Sequence, residues 1–163
     1  MAHKWKWINM SGIQQSFGFM RSAGVTFMVA STSGATVVTS GNYKIASFNG
    51  TGSFVVSSVG AGDSESNTIQ YLVVAGGGAG GVNLNGGAGG GGAGGMLVSS
   101  GTVVTAISYT VTIGAGGAGA TLTNAVTSGT ASSIGSLVSA TGGGYGGGYA
   151  GVAASGGSGG VYP

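Results

Sequence analysis

Cysteine is absent from this 163-residue chain, and so are disulfides and thiolate metal sites. A single proline excludes collagen, which also needs a strict Gly-X-Y period that the Gly-Gly-Gly runs break. Charge is nearly missing as well. Lys4, Lys6, Arg21 and Lys44 stand against Asp63 and Glu65, for a formal net charge of +2, and no Asp, Glu, Lys, Arg or His occurs from Ser66 to Pro163. So thin a basic set excludes the clustered Lys and Arg of a nucleic-acid footprint. No apolar run reaches the length of a membrane-spanning helix, so membrane insertion is not expected. With 42% hydrophobic residues and 4% charged, the composition is also the reverse of a disordered chain.

What the chain does have is glycine, 40 residues of it, concentrated in tracts at 76–95, 114–119 and 142–160. The first tract opens with TIQYLVVAGGGAGG, which has the outline of a dinucleotide-binding fingerprint at Gly76, Gly78 and Gly81. That fingerprint works only if a helix follows to receive the pyrophosphate and a carboxylate lies about 20 residues on. Here VNLNGGAGGGGAGG follows, too rich in glycine for a helix, and no carboxylate occurs downstream. No cofactor is expected. The stock of catalytic groups is equally poor, because His3 sits near the terminus and Asp63 and Glu65 share one loop with too few oxygen ligands for calcium. Neither an enzyme nor a metal site is expected.

Residues 1–41 read as an N-terminal segment rich in aromatics and methionine, followed by a glycine-rich β domain over 42–163. Trp5, Trp7, Ile8, Phe17, Phe19 and Phe27 are its large anchors, for assembly against a partner surface or for a small local core. From Asn42 onward strands become legible. NYKIASF and SFVVSS flank Asn49-Gly50, a hairpin signal, and TIQYLVVA reads as a strand. Further strands are expected at 96–98, 102–108, 109–113 and 136–141, some of them continuous with one another. The expected fold is mostly β, with short antiparallel strands in a sandwich-like unit. Beside them, the tracts read as extended three-residue-per-turn helices of the polyproline II type, whose outward peptide groups bond neighbouring copies when packed closely. Weak Cα–H contacts to carbonyls add to such packing, and the entropic cost of ordering glycine opposes it.

The stretches YLVVAGGGAGG, GGAGGMLVSSG and SYTVTIGAGGAG, followed by ASSIG and ATGGG, resemble in sequence and order the glycine-rich domain that recurs in tail-fibre and other virion proteins of bacteriophages. The likeness runs from about Asn42 to Gly160, whereas residues 1–41 resemble nothing familiar. It implies a virion surface protein, made in the host cytoplasm, that associates with other virion proteins and with copies of itself, a trimer being usual for fibres. A related use of glycine tracts occurs in adhesins at the tips of long phage tail fibres, where packed polyglycine helices present loops to the host. On that reading a host surface glycan or outer-membrane protein is the external partner. The candidate contact residues are those that interrupt the tracts: Asn83, Leu84, Asn85, Asn124, Tyr145 and Tyr149. Tyrosine supplies rigid amphipathic contact area suited to such recognition, though it also packs well over glycine backbone. Two alternatives remain open at this point: a capsid decoration or self-assembling protein that touches no receptor, and an ice-binding or extracellular-matrix protein.

Overall fold

The computed structural model describes residues 26–41, 43–61, 67–83, 87–119, 126–148 and 154. Among them are seven strands and no helix: β1 (Val29–Ser40), β2 (Tyr43–Ser58), β3 (Thr68–Val74), β4 (Met96–Val103), β5 (Ser108–Thr112), β6 (Ser132–Ile134) and β7 (Val138–Ala140). The strands form two sheets, of order β1-β2-β5-β6-β7 and β3-β4. The mostly β expectation holds. By contact density the chain divides into one unit of residues 1–72 and 98–111 and a second of residues 73–97 and 112–163.

The first unit is built on a long hairpin. β1 pairs antiparallel with β2 from Val29↔Ser58 to Ser40↔Tyr43, so the turn is the two-residue Gly41-Asn42, with Gly41 at φ +56°. A two-residue hairpin turn requires positive φ, which glycine adopts without steric cost. The hairpin expected at Asn49-Gly50 does not form. β2 runs straight through that site because β1 pairs with both of its halves, Ser33 facing Ser53 and Ala35 facing Phe48. The surplus residues 49–52 bulge opposite Gly34, whose φ of +84° takes up the kink. Gly52 is required for a different reason: a Cβ there would overlap the carbonyl oxygen of Ser33.

β5 lies on the other side of β2 and sets Phe54 directly opposite Tyr109, their rings stacked at 6.0 Å between centroids. Phe54, Val56, Tyr109 and Val111 all point inward, as alternation along two facing strands demands, and Ile69 and Val104 join the same buried set. Between β4 and β5 the chain leaves strand geometry at residues 104–107, which breaks the run expected over 102–108. The Tyr109 hydroxyl organises that break. It accepts the Thr105 amide at 2.8 Å and lies 3.0 Å from the Thr105 hydroxyl, while the Ile107 carbonyl accepts the Val56 amide at 2.9 Å.

In the second unit the short hairpin of β6 and β7 turns at Gly135 (φ +47°), closed by the Leu137 amide on the Ile134 carbonyl at 2.9 Å. The strand expected over 136–141 is therefore shorter, and its partner β6 carries the buried Ser132. Most of the other described residues of this unit lie in extended, glycine-rich segments.

Candidate functional site

Five extended segments lie in the second unit: the glycine- and alanine-only I (75–81), II (87–95) and III (114–119), IV (126–130, VTSGT) and V (141–148, glycine but for Thr141 and Tyr145). Their hydrogen bonds recur every third residue. Segment I donates from Ala75, Gly78 and Gly81 to the carbonyls of Gly95, Gly92 and Gly89 in segment II, at 2.8–2.9 Å. Gly89, Gly92 and Gly95 in turn donate to Gly147, Gly144 and Thr141 of segment V, each at 2.8 Å. A β ladder repeats every two residues, whereas a repeat of three is that of a polyproline II-type helix. The polyglycine expectation is met.

The pairings fix the arrangement. The Gly76 and Ala79 amides of segment I donate to Thr130 and Thr127 of IV, while the carbonyls of the same two residues accept from Gly143 and Gly146 of V. The Gly77 carbonyl accepts from Gly117 of III. Segments III and IV are bonded through Thr130 to Ala115 and Thr127 to Ala118, and IV reaches V through Gly129 to Gly143. Only one packing satisfies all these contacts: a row III–I–II lying on a row IV–V, with I at the centre. Three residues per turn let each residue of segment I address a different neighbour.

This closeness is why the inner positions are glycine. A Cβ on Gly76 would overlap the Ala115 carbonyl, on Gly78 that of Gly144, on Gly143 that of Gly92, and on Gly146 that of Gly89. Where a peptide group lacks a backbone partner, hydroxyls of neighbouring chain take it. The amides of Gly114, Ala115 and Ala118 donate to the hydroxyls of Ser132, Thr130 and Thr127, each at 2.8 Å. No buried side-chain nitrogen or oxygen among the described residues is left without a partner. The upper row, by contrast, has an open face. Gly77, Gly80, Gly90 and Gly116 are exposed, their amides have no backbone partner among the described residues, and a Cβ at Gly77, Gly80 or Gly116 would find nothing nearer than 3.6 Å.

The five segments also share a polarity of ends. Each continues a strand: I follows β3, II leads into β4, III follows β5, IV leads toward β6 and V follows β7. The strand junctions therefore gather at one end of the bundle, marked by the Ala75–Gly95–Thr141 bonds, and the opposite ends of the segments, the loop end, lie at the other, marked by Gly81–Gly89–Gly147. Asn83 lies at this loop end, where its side-chain amide donates to the Gly87 carbonyl at 3.1 Å and closes the connection from I to II. Gly148 arrives beside it, with no room for a Cβ against Val82. Tyr145 is set apart, within segment V and half-buried, and its carbonyl accepts the Ala154 amide at 3.2 Å.

Leu84, Asn85, Asn124 and Tyr149 lie outside the described residues, as do Trp5, Trp7, Ile8, Phe17 and Phe19. Phe27 is described and half-buried, next to the buried Met28. The described residues hold no group of three His, Asp or Glu side chains fit for a metal.

Residues 56–162 match the model of the glycine-rich domain, a span of more than half the chain. The chain belongs to the glycine-rich domain family. No curated protein and no solved structure matches it. The matched region of this glycine-rich domain contains all five segments and the strands β3 to β7 that feed them. Sequence reading found the glycine tracts and expected three residues per turn in them, but missed segment IV and, with it, Ser132, Thr127 and Thr130 as hydroxyl partners. The T-x-x-T spacing, one helical turn, was the available signal.

Proposed function

We propose that this glycine-rich domain is a structural component of a bacteriophage particle, a surface fibre or adhesin-like subunit that takes part in host attachment. One observation supports this reading above the rest. All five segments adjoin strands at one end of the bundle, and their opposite ends lie together at the other. The segments are held to one another by backbone hydrogen bonds, so side chains at the loop end are not needed for that packing and their chemistry is available for recognition. Segment I, with seven residues at about 3.1 Å each, separates the two ends by roughly 20 Å. Asn83 and the connection it closes face the host surface on this account, and the partner is a surface glycan or an outer-membrane protein. Tyr145 and Tyr149 add aromatic contact area.

Antibody-gold labelling and electron cryo-microscopy of particles from the source culture test the placement. Small symmetric clusters on a tail or vertex are expected, together with inhibition of adsorption by the purified protein. Absence of the chain from purified particles refutes the proposal.

A second reading, capsid decoration or a self-assembling element without a receptor, is favoured by the open face of the upper row. Exposed peptide groups at Gly77, Gly80 and Gly90 suit backbone-to-backbone assembly more than ligand recognition. Copy number separates the two readings, since decoration requires hundreds of copies tiling a capsid and leaves adsorption unaffected by added protein.

A further inference from the structure

We propose that β1 is a self-association edge, at which two copies of this chain pair antiparallel across a two-fold axis through Val38. β1 ends its sheet, with β2 on one side and no strand on the other among the described residues. It is long, 12 residues or about 40 Å of edge. Its last five residues, Thr36 to Ser40, are exposed on both faces, with Val37 at 37% and Val38 at 54% exposure. An open strand edge carries unpaired N–H and C=O groups, and sheet proteins ordinarily block it with lysine, proline or a bulge. From Ala35 to Ser40 the sequence ATVVTS has none of these, and the bulge at Gly34 lies upstream.

What fits such an edge is another strand. The occupant is a second copy because charge opposes nothing and the edge matches itself. Val29–Ser40 contains no charged residue, the nearest charge on the hairpin is Lys44 on β2, and the whole chain carries a net charge of only +2. The register follows from the hairpin. Ser40 and Tyr43 close the two-residue turn, so Ser40, Val38 and Thr36 turn their peptide groups toward β2. Alternation then turns those of Ala35, Val37 and Thr39 toward the open edge. A two-fold axis at Val38 sets Val37 of each copy opposite Thr39 of the other, where both hydrogen bonds are exchanged. It also brings the two Val38 side chains together at a non-hydrogen-bonded position, where Cβ atoms lie about 4.5–5.5 Å apart. Thr36 meets Ser40 on the same face. The result is a sheet continuous across the dimer, and it holds whether or not the molecule rides on a virion.

The chain has no cysteine, so one introduced thiol reports the contact without competition. Val38→Cys is expected to form a disulfide-linked dimer on mild oxidation, at least ten-fold more than Val103→Cys, an equally exposed control on β4. Sedimentation equilibrium of the unmodified chain is expected to show a dimer. Val37→Pro, which removes an amide pointing at the open edge and not at β2, is expected to weaken that dimer at least ten-fold with its circular dichroism unchanged. If Val37→Pro fails to fold, Val38→Lys, which sets two charges face to face, reads the same contact. A monomeric or trimeric unmodified chain, a dimer indifferent to the variant that folds, or equal cross-linking at positions 38 and 103 overturns the proposal.

Discussion

At the scale of the residue, glycine has two separate roles that a sequence does not distinguish. Gly78 and Gly90 look alike in the tract, yet a Cβ on Gly78 would overlap the Gly144 carbonyl, while one on Gly90 meets nothing within 4 Å. Gly78→Ala is therefore expected to lower stability by about 1–3 kcal/mol, as overpacking does. Gly90→Ala should be neutral or stabilise by about 0.4–1 kcal/mol, through the lost freedom of its unfolded chain. Urea unfolding of the two variants side by side checks the difference. Tyr109→Phe tests another single atom, the hydroxyl that accepts the Thr105 amide. Loss of one such bond with its partner left part-buried is expected to cost about 1 kcal/mol, read as a shift in the same unfolding curve. Lys44 contributes a pH dependence of known sign. Burial lowers its pKa below the ordinary 10.5, so the unfolded chain binds more protons just below that value. Stability contributed at this site therefore rises with pH through that window, and Lys44→Met is expected to flatten the rise in a pH series of melting curves.

At the scale of the element, legibility followed side chains. β3 was readable because its apolar run ends abruptly in glycine, and β5 because its inward positions Tyr109 and Val111 alternate with threonine and serine. β1 was not readable, because its second half is exposed on both faces and so lacks the alternation that marks a strand with one buried side. The hairpin turn was misplaced for a similar reason. Gly41-Asn42 and Asn49-Gly50 are both turn signals, and only the pairing of β1 with both halves of β2 decides between them. Among the glycine segments, order and period were legible but partners were not, since segments without side chains carry no pattern to match. Segment IV is the exception that carries a test. Thr130→Val removes the hydroxyl that accepts the Ala115 amide while keeping the side-chain shape. The bond is exposed, so water takes the place of the lost partner and the expected cost is the net value of one hydrogen bond, about 0.5–1.5 kcal/mol, measured against the conservative Thr130→Ser, which keeps the bond.

At the scale of the whole molecule, the account rests on one claim: that the glycine tracts are a hydrogen-bonded bundle and not flexible linker. The near absence of charge and the neutral, glycine-rich surface then follow from a design in which backbone, not side chain, makes the contacts. The candidate site was legible in part. Asn83 was picked from its interruption of a tract and does lie at the loop end, whereas Tyr145, chosen on the same ground, belongs to the body of segment V. An interruption in sequence marks a loop only when the hydrogen-bond period also breaks there.

The most direct measurement is residue-resolved amide hydrogen exchange by nuclear magnetic resonance on the uniformly labelled chain. Protection is expected at every third residue of segment II, at Gly89, Gly92 and Gly95, and in segment I at two series of every third residue, Ala75, Gly78 and Gly81 and also Gly76 and Ala79, with fast exchange at Gly77, Gly80, Gly90, Gly91, Ala93 and Gly94. Uniformly fast exchange through both segments, or protection alternating every second residue, would contradict the bundle and return the tracts to linker or to ordinary strand.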